Sequence, residues 1–283
     1  MNEAGIVRVF SFADLKWIAL LLLVSFAVQA KPLTVAIVPQ FTTTQTFQKW
    51  QPLLDQLSKQ TGLSFKLKVY NNFPDFERDY LQGEPDLVYY NPYHQVKGHL
   101  AQGYVPLVRD GKRKLTGIIV VGRDSPYQQL DDLDGKTFSF PAPNAFAASL
   151  YMRALLTEKE ALTHHTHYSG SHSNSYRDVV AGRAEAAGGV FRSLKKQPKR
   201  IRDQLRVIYQ TPGNSPHPLS AHRRVNKKSR EKITQAILLM NNDPAGKAIL
   251  QNIQMSHPVK ASHLRDYQPL NRLGLEKYHV SGK

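Results

Sequence analysis

Leu33-Thr34-Val35-Ala36-Ile37-Val38 is a short apolar run, rich in β-branched residues and stopped by Pro39, and it reads as a buried strand. A loop from Pro39 to Thr46 follows, and then Phe47, Trp50, Leu53, Leu54 and Leu57 recur at helical spacing until Thr61-Gly62 supplies a stop. The unit repeats downstream. Ser64 to Tyr70 reads as a strand, Phe73 to Leu81 as a helix ended by Gly83, Asp86 to Tyr90 as a strand, and Tyr93 to Ala101 as a helix closed by Gly103. Strands that alternate with helices over short connections predict mainly parallel sheets covered on both faces, and such sheets take ligands at the carboxyl ends of their strands. The Pro39–Thr46, Asn71–Pro74 and Tyr90–Tyr93 loops are therefore where a site is expected.

Toward the C-terminus, strands at Tyr104–Val108 and Leu115–Val121 precede a restart of the pattern. Lys136–Phe140, a helix over Ala145–Leu156, a helix over Ser173–Ala181 and a strand at Ala186–Val190 predict a second α/β lobe. The strand Leu205–Tyr209 leads into Thr211-Pro-Gly-Asn-Ser-Pro-His-Pro218, a proline-rich passage suited to a crossing between lobes. The remainder reads as helical, over Ser229–Met240 and from the Asp243-Pro244 cap to Ile253. The predicted organisation is a lobe over 31–122, a second over 123–212, and a return crossing with C-terminal helices over 213–283 that pack mainly on the first lobe.

Toward the N-terminus, Arg8 and Lys16 give a basic start, Trp17–Val28 carries no charge, and Val28-Gln29-Ala30 offers small residues at cleavage positions. About twelve apolar residues are fewer than the ~20 that a spanning helix needs, so residues 1–30 read as a signal peptide cleaved after Ala30. The chain has no cysteine, hence neither a disulfide nor a lipid-modified cysteine. Glu3 and Asp14 offset Arg8 and Lys16, so the net charge of +16 resides after residue 30. Such a balance suits an anionic partner, and export excludes nucleic acid as the expected one.

Neither a Gly-x-Ser-x-Gly elbow, a phosphate loop with Lys-Ser/Thr, a His-Glu-x-x-His pair nor a cysteine nucleophile is present, so no catalytic residue and no cofactor is predicted. His164, His165, His167 and His172 are spaced for a metal, yet no Asp, Glu or Cys lies among them, and none is assigned as a ligand. Asn144 is placed to cap a helix at the end of a strand, with N–H groups and dipole favouring an anion over Ala145–Ser149. Tyr90, beside Asn91-Pro92, offers an aromatic wall with a hydroxyl donor.

Four segments carry a resemblance over the mature chain: Pro85-Asp-Leu-Val-Tyr-Tyr-Asn-Pro-Tyr93; Gly135-Lys-Thr-Phe-Ser-Phe140 with its helix start; Gly170-Ser-His-Ser173 with Val180–Gly188; and Asn242-Asp-Pro-Ala-Gly246. In their order and spacing the chain resembles the periplasmic substrate-binding proteins of phosphate, phosphite and phosphonate ABC transporters. The resemblance implies a two-lobed, type 2-like binding protein with two crossing hinge strands, which acts as a monomer, closes on a small anionic ligand and delivers it to an ABC permease. It also implies Tyr90, His172 and, where relatives often have tyrosine, Phe73 as cleft residues.

The predicted ligand-binding set is Gln40 and Thr42 of the first loop, Phe73, Tyr90, Asn91, Asn144, Ala145, Phe146, Ala147, Ser149, His172 and Arg192. Two departures stand out. Relatives have Ser-Thr-Ser where this chain has Ala145-Phe146-Ala147, and after the strand at Ala186–Val190, where some offer an acid to a ligand amine, it has Phe191-Arg192. The alternative reading of the same architecture is a periplasmic sensory subunit that reports its ligand to a membrane signalling protein; a third is a metal-binding protein or hydrolase that uses the histidine cluster.

Overall fold

The computed structural model describes residues 31–280, so the expected signal peptide lies outside the described residues. The chain opens with β1 (Leu33–Ile37), α1 (Thr43–Thr61), β2 (Phe65–Lys68), α2 (Phe73–Leu81), β3 (Leu87–Tyr89), α3 (Pro92–Gln102) and β4 (Val105–Asp110). It crosses to β5 (Ile118–Gly122), β6 (Thr137–Phe140), a wide π-type turn at Phe146–Leu150 running into α4 (Tyr151–Glu158), β7 (His165–Tyr168), α5 (His172–Val180) and β8 (Ala186–Gly189). The short helices α6 (Phe191–Lys195) and α7 (Lys199–Arg202) lead to β9 (Leu205–Gln210). The chain then returns through β10 (Leu219–Ala221), α8 (Lys227–Leu239), α9 (Pro244–Asn252), β11 (Pro258–Lys260) and α10 (His263–Asp266).

The helices start where side chains can accept from free backbone N–H groups: Thr42, Asn72, Asn91, Ser171, Asn226 and Asp243 each cap the helix that follows. Gly62 ends α1 at φ 69°, a conformation that costs glycine nothing. On α1, Trp50, Leu53, Leu54 and Leu57 form the buried stripe and pack with β1 and β3 residues Val35, Ile37 and Leu87.

Two sheets result, with strand orders β11-β4-β10-β3-β1-β2 and β7-β6-β8-β5-β9. Both are mixed, not mainly parallel as expected. β1 runs parallel to β2 and β3, and β6 to β7 and β8, but β10, β11, β5 and β9 pair antiparallel with their neighbours. Each antiparallel pairing involves a strand by which the chain leaves or re-enters a lobe, and such a strand comes from the opposite end of the sheet. Ile118–Gly122, expected within residues 31–122 as part of the first lobe, pairs with β8 and β9 in the second sheet. Its successive residues feed opposite faces: Ile118 and Val120 pack with Tyr176 and Leu205, Ile119 and Val121 with Phe138 and Met152.

The two crossings run side by side. Leu115 and Asn214 exchange both backbone hydrogen bonds (2.9 and 3.0 Å), and Gly117 and Thr211 are joined through Thr211 N–H to Gly117 O and Gly117 N–H to Thr211 Oγ1, both 2.9 Å. Across the remaining seam, Tyr93 and Val96 of α3 meet Phe146, Ala147, Leu150 and Tyr151, with Tyr267, Leu270 and Leu275 of the C-terminal segment completing the cluster. Among the described residues no helix is long and apolar enough to cross a membrane.

Candidate functional site

Segments that follow β1 and β3 meet segments that follow β6 and β8: Lys196 stands 4.5 Å from the centre of the Phe41 ring, and Asn91 Nδ2 donates to Asn144 O at 3.0 Å, at strand ends of the kind where open α/β sheets take ligands. On the first-lobe side, the Gln40 amide donates to His217 Nε2 at 2.7 Å, and Thr42 is engaged as the α1 cap, accepting from Gln45 N–H at 3.3 Å. Burial pushes His217 down to about 3, which keeps its ring neutral and able to accept. His217 stacks on Tyr89 with ring centroids 5.5 Å apart, and Tyr89 packs on Trp50 at 4.6 Å.

Tyr90 lies elsewhere. It is fully buried in the first-lobe core, edge-on to Tyr80 and Tyr104, and its hydroxyl donates to Gln95 Oε1 at 3.1 Å. Successive residues at a strand end point to opposite faces, so Tyr89 turns the other way, onto Trp50 and His217. Phe73, at the start of α2, packs across the seam against Ala142, Ala145, Ala148 and Val190.

On the second-lobe side, Ala145 and Ala148 present an apolar patch to Phe73. Phe146 and Ala147 turn the other way, and Phe146 stacks on Tyr151 at 5.5 Å with the rings 5° from parallel. Ser149 is buried, and its Oγ accepts from Arg153 Nε at 3.3 Å. Ser149 and Leu150 N–H both reach Ala145 O, at 2.8 and 3.1 Å, which gives the turn its width. Among the described residues the N–H groups of Phe146, Ala147 and Ala148 donate to no recorded acceptor, although these residues are 2–3% exposed. Such donors at a helix start favour an anion.

The turn sits hard against the sheet because two glycines allow it. A Cβ on Gly117 would stand 2.0 Å from Ala147 O, and one on Gly188 would stand 2.1 Å from Ala148 O. Beyond β8, His172 Nδ1 lies 3.2 Å from Ser193 Oγ, which also meets the Tyr176 hydroxyl at 2.7 Å. Burial pushes His172 down to about 4. Arg192, on α6, lies within electrostatic reach of Arg113 and Tyr89, and its Nη1 is buried without a protein partner among the described residues. Lys196 stands 4.5 Å from the centre of the Phe41 ring on the first lobe, with Lys49 at 5.5 Å from the same ring.

A buried polar network joins the lobes beside Phe73. Glu77 pairs with His94 Nε2 at 3.0 Å and accepts from Asn144 Nδ2 at 3.0 and 2.8 Å. Burial alone would push the Glu77 carboxyl up; the His94 and Asn144 hydrogen bonds and the His94 charge hold it below its ordinary value instead. Asn144 also donates to Val280 O at 2.7 Å and accepts from Val280 N–H at 3.0 Å, and Asn91 Nδ2 donates to Asn144 O at 3.0 Å. Asn91 and Asn144 thus tie the lobes and the C-terminal segment together.

The four histidines singled out in the sequence do not converge. His164 packs edge-on to Phe138, His165 and His167 lie on the edge strand β7, and His172 sits by Ser193. Among the described residues no three His, Asp or Glu side chains are placed to share a metal ion. A groove of about 550 Å³ between α2 and α3 is lined by Asp75, Glu77, Arg78, Lys97 and His279, and so holds mixed charges.

Sequence reasoning reached Phe41 only as part of the Pro39–Thr46 loop, preferred Tyr90 to Tyr89, and missed His217, Lys49, Arg113, Lys196 and Glu77. His217 sits in the proline-rich crossing, where it was legible as a polar residue in a hinge. Lys49 and Lys196 carry no signal, because only the fold brings them to one ring.

Two α/β lobes joined by paired crossings, with a ligand cleft at facing strand ends, define a periplasmic solute-binding protein. Residues 35–267 match the family described as ABC transporter, phosphonate, periplasmic substrate-binding protein, and the chain belongs to it. The Phosphonates-binding periplasmic protein of Escherichia coli (strain K12) is 21% identical over 265 residues, which cover 88% of this chain and 78% of that one. The fold is shared with PhnD1 of Prochlorococcus marinus (MIT 9301), solved in complex with methylphosphonate, at a TM-score of 0.77 and 17% identity over 88% of this chain and 99% of that one. It is shared also with a binding protein component of an ABC phosphonate transporter from Pseudomonas aeruginosa, at a TM-score of 0.75 and 15% identity over 89% of each chain. The family is one of substrate-binding proteins, not enzymes, and it implies a periplasmic location, a small-molecule ligand and a membrane ABC permease.

Proposed function

We propose that this protein captures a small oxyanion of the phosphonate class between its lobes and passes it to an ABC permease, acting as a monomer once residues 1–30 are removed after Ala30. The observation that carries this reading is the turn at Phe146–Leu150. Its three N–H groups without recorded partners stand at the end of β6, facing Phe73 and Val190, where an oxyanion gains charge-assisted contacts. Residues 145–148 add no hydroxyl to them, since Ala145 and Ala148 face Phe73 and Val190 and Phe146 and Ala147 belong to the seam. Phe73, Ala145 and Ala148 suit an apolar carbon attached to the oxyanion.

The moving bodies are the two sheets with their helices, the first built before Asp110 and after Pro218 and the second from Ile118 to Gln210. The crossings at 111–117 and 211–218 form the hinge. A thermal-shift screen of phosphate, phosphite, methylphosphonate and methanesulfonate tests the reading, because a ligand that binds only the native state raises its melting temperature. Stabilisation by phosphonate or phosphate above the sulfonate is expected. No shift with any of the four anions refutes the ligand class.

A further inference from the structure

The cleft has a second, cationic side that the oxyanion site does not use. Arg192 and Lys196 come from the second lobe, Lys49 from α1 and Arg113 from the first crossing. Lys49 and Lys196 converge on the Phe41 ring, at 5.5 and 4.5 Å from its centre, so they belong to one locality. Arg192 lies near enough to Arg113, and Lys196 to both Arg192 and Lys49, for each neighbouring charge to disfavour its protonated form; burial is the larger cause in both cases. None of the four enters an ion pair among the described residues. Asp110, the carboxylate that influences Tyr89, is engaged by the N–H groups of Lys112, Arg113 and His257.

Like charges repel weakly where, as at Lys196 and Arg113, solvent screens them, and more strongly at the half-buried Arg192, and an acidic group brought there removes that repulsion. The buried, unpartnered Nη1 of Arg192 marks the same place, since a guanidinium leaves a buried donor open at a cost that an acceptor removes. Val190, whose side chain belongs to the oxyanion patch, is two residues before Arg192, so one ligand of a few bonds' length spans both sides.

We propose that the solute carries a second acidic group, carboxylate or phosphoryl, and that Arg192 and Lys196, facing Lys49 and Arg113, hold it while the turn at Phe146–Ala148 holds the phosphonyl oxygens. The proposal rests on the reading that an oxyanion binds at that turn. It makes Arg192 the residue that sets specificity: a diacid is selected and a ligand with an ammonium at its far end is rejected by like charge.

Calorimetric titration with methylphosphonate, 3-phosphonopropionate and 2-aminoethylphosphonate tests it. The diacid is expected to bind at least about ten-fold tighter than methylphosphonate, and the amine weaker than methylphosphonate, the scale of a bidentate charged contact. Arg192→Gln should bring the diacid-to-methylphosphonate ratio close to one, and Arg192→Glu should invert the order of diacid and amine. An amine that binds the unaltered protein as tightly as the diacid, or an Arg192→Glu protein that keeps the original order, overturns the proposal and leaves the oxyanion reading standing. Absence of heat with all three ligands overturns both.

Discussion

Replacing Asn144 with leucine, close to it in shape, would remove the group on which both lobes and the C-terminal segment converge. The amide donates to the buried Glu77 carboxylate at 2.8 Å and exchanges two hydrogen bonds with the Val280 backbone. A hydrogen bond to a charged group contributes about 1.5–3 kcal/mol and each neutral one about 0.5–1.5, so a loss of about 2.5–6 kcal/mol bounds the effect. The lower half is expected, because Val280 is exposed and its backbone can turn to water. Urea unfolding at pH 7 measures the loss, and a double-mutant cycle with Glu77→Gln isolates its origin. If the stranded carboxylate dominates, Asn144→Leu should cost at least about 1 kcal/mol less in the Glu77→Gln background, a coupling within the range for groups in contact. Strict additivity, or a total loss under about 1 kcal/mol at pH 7 by the same scale, would refute the claim that Asn144 sustains the buried charge.

Other perturbations follow from the same geometry. Restoring Ser-Thr-Ser at Ala145-Phe146-Ala147 should destabilise the protein, by about 3–5 kcal/mol through Phe146 alone, because that ring is packed in the seam; Ala145→Ser by itself should strengthen methylphosphonate binding in calorimetry. Gly188→Ala should lower the melting temperature and weaken anion binding together, since a Cβ 2.1 Å from Ala148 O pushes the donor turn off the sheet; an unchanged protein would mean that this contact is not tight in solution. Acid should destabilise the fold through its buried histidines. His217 at about 3 and His172 at about 4 lie below the ordinary value of 6.5, so the unfolded chain binds more protons as pH falls below 6.5, and stability declines by up to about 1.4 kcal/mol per pH unit for each until its folded value is passed. A pH series of urea midpoints should show that decline flattened by His217→Gln.

The alternating strands and helices were legible because their signals are local. β-branched apolar runs give β1 and β3, the spacing of Trp50, Leu53, Leu54 and Leu57 gives α1, and Asn91-Pro92 gives the start of α3. β10 was not legible. Three residues, Leu219-Ser220-Ala221, carry no periodicity, and they form a strand only because β3 and β4 present unpaired edges to them. Its antiparallel entry, like that of β5, is a property of the connections between lobes and so has no signature within the strand itself.

The site divides in the same way. The helix start near Asn144 and the post-strand Arg192 could be placed from strand ends, but Asn144 does not cap that helix as expected: no side chain caps it, and the Asn144 amide is drawn to Glu77 and Val280 instead. Tyr89 and Tyr90 were indistinguishable until the phase of β3 was known. Lys49 and Lys196 are 147 positions apart in the chain and meet only at Phe41. Phe146 was expected at the ligand because relatives have threonine there. The extra residue accommodated in the π-type turn rotates its ring into the seam, which no spacing rule for an α-helix anticipates.

The central claim, that the lobes close on an anion, is tested most directly by small-angle X-ray scattering of the chain lacking residues 1–30, with and without saturating amounts of the anion that stabilises it most. The account predicts a compact monomer whose radius of gyration falls when the anion is added. A monomer whose scattering is unchanged by an anion that demonstrably binds would contradict closure, and a stable oligomer would contradict the monomeric receptor.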